Sequence, residues 1–498
     1  MLVLVLAAAV AAGAAQTNSG PVVFKEVRLG TLAAGLQLGD VRVSHDNTHI
    51  AYAFFKDARW SVARDGLETG RYDGVHDVLF SLDGQHLAYV MEADGRSTVV
   101  RDGKAGKSYG QIARGCVLFS PDSQHLAYVA WRQPEGGWVA VLDGQEGNPY
   151  ERIAKTGLQF SLRGRHLVYP AMRKQDVFMV YDGKEGAPAG GLGPFTFSAD
   201  GEHIAYVLPR EEKWLVARDD KVEEFEEVLD GGVVLSPDGK RSLFAARRGA
   251  GKLRVFLDGK PGNEFDNFPS HALAFSPDGS RGAVVGNRDG GWYVELEGRP
   301  SEQYDAVMTG SLIFSEDSQH VAYAAHRSNE WFVVRDGKAG KGYEGIGNDS
   351  LVFSPNGQRL AYSAARSGKY VAVVDGSESP ECPAVSSHGV VFSPDSQRTA
   401  YVRQQGAAWQ VVVDGKAGKE YGGVAMRPFS FTPDSRYIAY LASRGGKFVF
   451  VIGDQQSPGY DQFLTEVECA KSFEKLQILA TRTALGGRDL FRVEAELR

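Results

Sequence analysis

The segment LFSPDSQHLAYVA, residues 118–130, decides the fold of this chain because it recurs along almost the whole length. Other copies are IFSEDSQHVAYAA (313–325), VFSPNGQRLAYSA (352–364) and FSPDSQRTAYV (392–402). A second motif lies between such copies, as in VVRDGKAGKSYGQI (99–112), VVRDGKAGKGYEGI (333–346) and VVVDGKAGKEYGGV (411–424). The chain is therefore an array of one repeated unit.

The repeat has a period of about 39 residues. The Ser or Thr that opens the first motif falls at Ser44, Ser81, Ser120, Ser161, Ser198, Ser236, Ser276, Ser315, Ser354, Ser393 and Thr432. Eleven repeats are complete, and FEKLQILATR (473–482) with DLFRVEAEL (489–497) forms a partial twelfth. This period is typical of the four-stranded blades of β-propellers.

Each repeat is predicted to form four strands. The apolar residues before the Ser form strand one, His-Leu-Ala-Tyr-Val forms strand two, an aromatic residue with Val-Val-Val forms strand three, and Lys-x-Tyr with the following Ile or Val forms strand four. Pro and Gly are confined to the turns, as strands require. The sequence therefore predicts an all-β fold.

Two aromatic positions recur and are predicted to form the core between blades. One lies in strand two, at Tyr52, Tyr89, Tyr128, Tyr169, Tyr206, Phe244, Tyr323, Tyr362, Tyr401 and Tyr440. The other opens strand three, at Trp60, Trp138, Phe178, Trp214, Trp292, Trp331, Tyr370, Trp409 and Phe448.

The Ser-Pro-Asp-Gly-x-x-Leu-Ala-Tyr pattern resembles the WD-like propeller repeat of the TolB, tricorn and prolyl-oligopeptidase type. The resemblance covers about residues 41–498 and implies a β-propeller. It implies little about function, because propellers support many activities. The chain has neither a hydrolase nucleophile elbow nor room in residues 21–40 for the separate N-terminal domain expected of TolB.

About twelve blades exceed the four to eight of ordinary rings, so two tandem six-bladed propellers are the first expectation. We assign repeats 1–6 to residues 41–270 and repeats 7–12 to residues 271–498. One large ring and a split into five and seven blades are the alternatives. Residues 18–40 contain an unpartnered strand that is expected to complete the last blade, which lacks its fourth strand.

The N-terminal segment predicts an exported protein. Residues 1–17 begin with an uncharged apolar run and are predicted to be a signal peptide, so the mature chain is expected to be secreted or periplasmic, without a membrane span. A net charge of −7 excludes a general nucleic-acid-binding role. Only three cysteines are present, which argues against a disulfide framework.

The candidate ligand-binding residues form one cationic series, at the end of strand two. Its members are Lys56, Arg132, Arg173, Arg210, Arg248, Arg288, Arg327, Arg366 and Arg444. They are expected at one end of the blades, where they would either attract an anionic glycan or another polyanion, or bridge to an Asp of their own or the next blade.

No catalytic site, metal site or cofactor is predicted. The acids of the Ser-Pro-Asp turns and the histidines that open strand two recur from blade to blade, which favours a structural role over chemistry; Asp in such turns normally caps backbone amides. The variable loops after strand two are where binding is expected. The sequence therefore predicts a non-catalytic scaffold with an unknown protein partner, with anionic-glycan binding second and an enzyme in the propeller channel last.

Overall fold

The computed structural model describes residues 22–33, 41–45, 48–154, 157–191, 193–219, 221–229, 232–269, 271–463, 475–484 and 487–497. The predicted signal peptide and Cys469 lie outside these residues. The described residues contain no α-helix and form twelve sheets, seven of four strands and five of five. The predicted all-β propeller with about twelve four-stranded blades is confirmed.

Blade 3 shows how one repeat becomes a sheet. Strand two, β12 (Leu126–Trp131), pairs on one side with both halves of an interrupted strand one and on the other with β13 (Trp138–Leu142). Most residues of β12 and β13 are buried, because blades 2 and 4 cover the two faces of the sheet. The fifth strand of such a blade is thus strand one in two pieces.

Blades 1 to 5 follow one another from residue 41 to residue 225. Their strands are β2 (Val41–Val43), β3 (Ile50–Lys56), β4 (Arg59–Arg64) and β5 (Leu67–Tyr72) in blade 1; β6 (Gly74–Phe80), β7 (Leu87–Ala93), β8 (Arg96–Arg101) and β9 (Lys104–Tyr109) in blade 2; β10 (Gln111–Ile112), β11 (Leu118–Phe119), β12, β13 and β14 (Gln145–Glu146) in blade 3; β15 (Arg152–Ile153), β16 (Gln159–Phe160), β17 (Leu167–Arg173), β18 (Asp176–Tyr181) and β19 (Lys184–Glu185) in blade 4; and β20 (Phe195–Phe197), β21 (Ile204–Arg210), β22 (Lys213–Arg218) and β23 (Lys221–Phe225) in blade 5.

Blades 6 to 11 continue the series to residue 456. Their strands are β24 (Glu227–Val228), β25 (Val234–Leu235), β26 (Ser242–Arg247), β27 (Leu253–Leu257) and β28 (Lys260–Phe265) in blade 6; β29 (Leu273–Phe275), β30 (Gly282–Arg288), β31 (Gly291–Leu296) and β32 (Arg299–Pro300) in blade 7; β33 (Ala306–Val307), β34 (Ile313–Phe314), β35 (Val321–Arg327), β36 (Glu330–Arg335) and β37 (Lys338–Ala339) in blade 8; β38 (Gly345–Ile346), β39 (Val352–Phe353), β40 (Leu360–Arg366), β41 (Lys369–Val374) and β42 (Ser377–Glu378) in blade 9; β43 (Val385–Phe392), β44 (Thr399–Gln405), β45 (Ala408–Val413) and β46 (Lys416–Tyr421) in blade 10; and β47 (Gly423–Phe431), β48 (Ile438–Arg444), β49 (Lys447–Ile452) and β50 (Gln455–Gln456) in blade 11.

The terminal blade combines both ends of the repeat array. Its sheet order is β1 (Val22–Ala33), β53 (Gly487–Leu497), β52 (Lys475–Ala484) and β51 (Gln462–Phe463). The N-terminal strand β1 thus occupies the place of strand four. Arg482 donates to Glu26, and Arg28 lies 2.7 Å from Asp489, so ion pairs join the N-terminal strand to the C-terminal ones.

The chain divides into two compact units. Within the described residues, one unit takes in Glu26–Glu224 with Gln477–Arg492, and the other takes in Phe225–Leu476 with the first residues of β1 and the last of β53. The division between Glu224 and Phe225 coincides with the end of blade 5. The predicted partition of blades at residue 270 stays a prediction.

The aromatic residues of strand two form the core between successive blades, as predicted. All ten members of that series are 1–6% exposed. At many junctions the Tyr meets a second Tyr from strand four of the preceding blade; Tyr304 and Tyr323, for example, have ring centroids 5.9 Å apart and hydroxyls 3.1 Å apart. Each blade therefore buries its apolar face only against its neighbour.

The aromatic residues that open strand three are less buried than predicted. All nine are partly or largely exposed, and Tyr370 and Phe448 are 43% and 45% exposed. Trp138 and Trp331 pack only partly against the inter-blade cores. The reason is position: this residue stands beside the loop that joins strands two and three, where the sheet ends and solvent begins.

Candidate functional site

Each blade has two ends with different chemistry. The turn end carries the Ser-Pro-Asp turn and the Asp-Gly turn after strand three, which in blade 3 are residues 120–125 and 143–145. The hairpin end carries the loop between strands two and three, residues 132–137 in the same blade. Most repeated acids and histidines lie at the turn end, and the cationic series lies at the hairpin end.

The acids of the Ser-Pro-Asp turn cap backbone amides, as predicted. In blade 7 the Ser276 hydroxyl donates to Asp278 Oδ1 at 2.6 Å, and the same oxygen accepts from the Ser280 amide at 2.9 Å. The Arg281 amide then donates to Ser276 Oγ at 3.0 Å. These bonds satisfy the turn from within, so the repeated acids have a structural role.

The histidines that open strand two are also structural. His86 Nδ1 lies 2.7 Å from Asp102 Oδ2, while Asp102 Oδ1 accepts from the Leu87 amide at 3.0 Å. The same His–Asp pair recurs at His49–Asp65, His125–Asp143, His166–Asp182, His203–Asp219 and His320–Asp336. In blades 9 and 10 an Arg makes this contact instead, Arg359 to Asp375 and Arg398 to Asp414, both at 2.8 Å.

Turn carboxylates should make the fold sensitive to acid. The Ser236 hydroxyl lowers the pKa of Asp238 to about 2, and the Ser276 hydroxyl does the same for Asp278. A pKa that is lower in the folded state gives stability that is present above the unfolded pKa, near 4, and is lost as pH falls toward about 2. The thermal midpoint is therefore expected to fall across that window.

Blade 9 offers a natural control for this pH prediction, because Asn356 stands in its turn and makes the same bonds to Ser354 and Gln358. The double variant Asp238→Asn/Asp278→Asn keeps the turns but removes two titrating groups. Calorimetry between about pH 5 and pH 2 should show a smaller fall in midpoint than for the parent chain. An equal fall would contradict the assignment.

The cationic series lies at the hairpin end, but six of its nine charges are paired with carboxylates, five within their own blade and Arg327 with a Glu of the preceding blade. The carboxylate partners are Glu146 for Arg132 (3.8 Å), Glu185 for Arg173 (2.6 Å), Glu224 for Arg210 (3.5 Å), Glu295 for Arg288 (3.9 Å), Glu302 for Arg327 (2.8 Å) and Glu378 for Arg366 (3.3 Å). These six guanidiniums are therefore largely neutralised locally.

The three remaining members differ from one another. Arg248 stacks on Phe225, with its guanidinium carbon 4.6 Å from the ring centroid. Arg444 donates to Gln456 Oε1 at 3.5 Å, and no described carboxylate lies within ion-pair distance of Lys56. Among the described residues most members of the cationic series are thus engaged in ion pairs, aromatic stacking or hydrogen bonds within the protein.

Several paired arginines also tie neighbouring blades together. Glu185 of blade 4 accepts from Arg173 of the same blade and from the Tyr150 hydroxyl, which belongs to the preceding blade, at 2.8 Å. Burial and this carboxylate raise the pKa of Tyr150 above its usual range. Glu378 joins Arg366 to Tyr343 in the same way, with the Tyr343 hydroxyl 2.9 Å away. The series therefore contributes to blade packing.

Aromatic residues give the hairpin end its other character. Phe55 is 61% exposed and packs against Trp60 across the hairpin of blade 1, with centroids 5.5 Å apart. Trp131 meets Trp138 at 5.5 Å in blade 3. The residue that faces the strand-three aromatic across the hairpin differs between blades, so the repeat motif does not reveal these aromatic pairs. The sequence signal was an aromatic residue directly before the cation of strand two, as at Phe55 and Trp131.

One polar cluster belongs to a single pair of blades. The side chain of His76, in β6, is 10% exposed; its Nδ1 lies 3.4 Å from Asp77, and its Nε2 lies 3.6 Å from Glu92. The Gly115 amide of blade 3 donates to Asp77 at 2.7 Å, and Arg114 lies 3.6 Å from Glu92. His76 and this amide help hold the pKa of Asp77 below its usual range, although burial opposes them.

Candidate metal and thiol chemistry finds little support in the described part of the chain. No group of three or more His, Cys, Asp or Glu side chains there is arranged to hold a metal ion. Cys116 and Cys382 are buried, and burial raises the pKa of the Cys382 thiol. No helix long and apolar enough to cross a bilayer occurs in the same residues.

Comparisons with known proteins give only distant structural likenesses. No protein-family model and no curated protein matches the chain. Among solved structures, it is similar to a eukaryotic initiation factor (12% identity, 75% of this chain and 96% of that chain, TM-score 0.32), to the β-propeller domain of the Trilobed protease from Pyrococcus furiosus (14%, 54% and 94%, 0.25) and to TolB from Acinetobacter baumannii (15%, 59% and 75%, 0.24). The WD-like, TolB-type resemblance holds at the level of fold.

Proposed function

We propose that this chain is an exported, non-catalytic scaffold that binds a protein partner at the hairpin end of its blades. The observation that carries the proposal is the exposed Phe55, 61% accessible and packed on Trp60. Exposed aromatic side chains on a rigid strand pair are typical anchors of protein interfaces, because they contribute a large contact area with little loss of conformational freedom.

The charges at the hairpin end support a partner with an apolar anchor. Six of the nine cations are paired with carboxylates, five in their own blade and Arg327 with Glu302 of the preceding blade, so a polyanion would have to displace these contacts before it gained any. A protein surface that presents an apolar or aromatic side chain meets no such cost. Export is proposed from the apolar segment at residues 1–17.

The non-catalytic part of the proposal follows from repetition. The acids and histidines at the turn end have the same backbone and side-chain partners in blade after blade. A catalytic group is instead a local exception with a partner that serves the reaction. The His76 cluster is such an exception, but its described contacts lie within the protein.

The test is a Phe55→Glu variant of the full chain. Beads carrying the wild-type protein are incubated with the envelope and secreted proteins of the source organism, and retained proteins are identified with and without crosslinking. A partner anchored on Phe55 should bind Phe55→Glu about 30-fold more weakly, the effect of losing a central aromatic anchor.

The matched control is Leu67→Glu, because Leu67 is 76% exposed on the outer strand of the same blade. It should retain the same proteins as the wild type. Equal retention by all three proteins would reject the proposed surface. Retention of the chain on a sulfated polysaccharide at physiological salt, lost at higher salt, would instead support the polyanion alternative.

A further inference from the structure

A crevice opens between blades 8 and 9, toward the turn end and away from the surface proposed above. Its volume is about 410 Å³, within the range of pockets that hold small molecules. Val333, Ala339 and Gly340 of blade 8 and Leu360 and Tyr362 of blade 9 form its apolar lining. The crevice therefore combines an apolar floor with the charged residues of two neighbouring turns.

Three cations and one carboxylate line this crevice: Arg335, Lys338, Arg359 and Asp375. The carboxylate is already satisfied, because Asp375 Oδ2 accepts from Arg359 at 2.8 Å and Oδ1 accepts from the Leu360 amide at 3.0 Å. Arg359 Nη1 also donates to the backbone carbonyl oxygens of Ser396 and Gln397. Arg335 and Lys338 supply the other positive charges of the lining.

Aromatic stacking and one ion pair position the side chain of Arg335. Its guanidinium stacks over Phe353 at 5.5 Å, and its Nε lies 3.6 Å from Asp336. Within the described residues, the two Nη atoms of Arg335 donate to no acceptor. No carboxylate in that part of the chain lies within ion-pair distance of Lys338. Stacked guanidinium nitrogens with unused donors are suited to an oxyanion.

The junction between blades 2 and 3 provides an internal comparison, because VVRDGKAGK occurs at both 99–107 and 333–341. There both Nη atoms of Arg101 donate to the carbonyl of Gln124 at 3.3 Å, and Nη1 lies 3.9 Å from Asp143. His125 stands where blade 9 has Arg359. The arginine of the same nonapeptide thus uses its Nη donors at the junction of blades 2 and 3, whereas the Nη donors of Arg335 have no acceptor among the described residues.

We propose that the crevice between blades 8 and 9 is a binding site for a small organic anion, one carboxylate, sulfonate or phosphate group on a compact apolar body. Arg335 and Lys338 hold the oxyanion, and the apolar body lies over Ala339 and Gly340, against the edge of the core that contains Val333 and Leu360. Gly340 provides the space, since a Cβ added there would lie 3.2 Å from the Val333 carbonyl oxygen and 3.9 Å from the Tyr362 hydroxyl. The site is independent of the hairpin-end surface.

Phenyl phosphate is the probe, and binding to the full chain is followed by ligand-observed NMR and calorimetry. Lys338→Glu should weaken binding by about tenfold or more, because it replaces an attraction by a repulsion. Gly340→Val should abolish it by filling the crevice. Benzyl alcohol, which has the apolar body without the charge, should bind far more weakly than phenyl phosphate.

The matched controls are Lys104→Glu and Gly106→Val, the same substitutions in the identical segment of blade 2. Both should bind phenyl phosphate like the wild type. The proposal is overturned if the wild type does not bind the probe at millimolar concentration, if benzyl alcohol binds equally well, or if the blade 2 variants lose as much binding as the blade 8 variants. Lys338 is an exposed side chain, so Lys338→Glu tests the site even if Gly340→Val does not fold.

Discussion

A chain that lacks residues 1–33 is expected to lose its native fold, because it loses the fourth strand of the terminal blade. In β1, Val22, Val23 and Phe24 are 1%, 8% and 5% exposed, and Phe24 meets Phe450 edge-on at 5.8 Å. Burial of three such side chains contributes roughly 5–8 kcal/mol. That is comparable with the whole free energy of unfolding of an ordinary domain.

The measurement is urea unfolding, with size-exclusion chromatography to detect association through the uncovered edge of β53. The truncated chain is expected to aggregate or to unfold at a much lower urea concentration. A chain lacking only residues 1–20, which retains all of β1, is the control and should behave like the full chain. Equal stability of the two truncated chains would show that β1 contributes little.

The sequence predicts the blade well because blade-forming signals are local. The Ser, the turn Asp and the residue that opens strand two lie within six positions of one another, so their hydrogen bonds are visible as a motif. The burial of the strand-two Tyr follows from its place in the middle of a central strand. Recurrence then carries each local prediction through eleven copies.

The partners of the cations could not be predicted, because they depend on how strand four lies beside strand two. The alternative expectation was a bridge to an Asp, yet every paired member has a Glu partner, in four blades a Glu of strand four, as in Arg173 with Glu185 and Arg366 with Glu378. These residues are twelve positions apart. The relevant contact also includes a Tyr of the preceding blade, which no motif within one repeat reveals.

Uniform repetition also hides the exceptions that differentiate the blades. His76 contacts Glu92 on strand two, and Glu92 in turn contacts Arg114 of the next blade. These residues are distant in sequence, so the cluster becomes visible only in the folded structure. Arg101 and Arg335 sit in identical nonapeptides but have different hydrogen-bond partners. The sequence therefore predicts the frame, and the differences between equivalent positions must be read from the packed structure.

Phe256→Ala is expected to cause the largest loss of stability of any single substitution considered for this chain. Phe256 is 1% exposed, and its ring lies 5.0 Å from that of Phe225 and 5.2 Å from that of Phe244. Most junctions place a Tyr pair here, whereas this one is built from three phenylalanines. The three rings pack on one another beneath the Arg248 guanidinium, so removal of the buried Phe256 ring should cost about 3–5 kcal/mol.

The effect should extend beyond one blade, because a blade is stable only through its interfaces with its neighbours. Urea unfolding followed by tryptophan fluorescence should show a lower midpoint for Phe256→Ala. The control is Phe448→Ala, since Phe448 is 45% exposed and its removal should cost less than about 1 kcal/mol. A midpoint for Phe256→Ala no lower than that of the control would mean that the cluster can collapse around the missing ring, and that the three phenylalanines contribute little to stability.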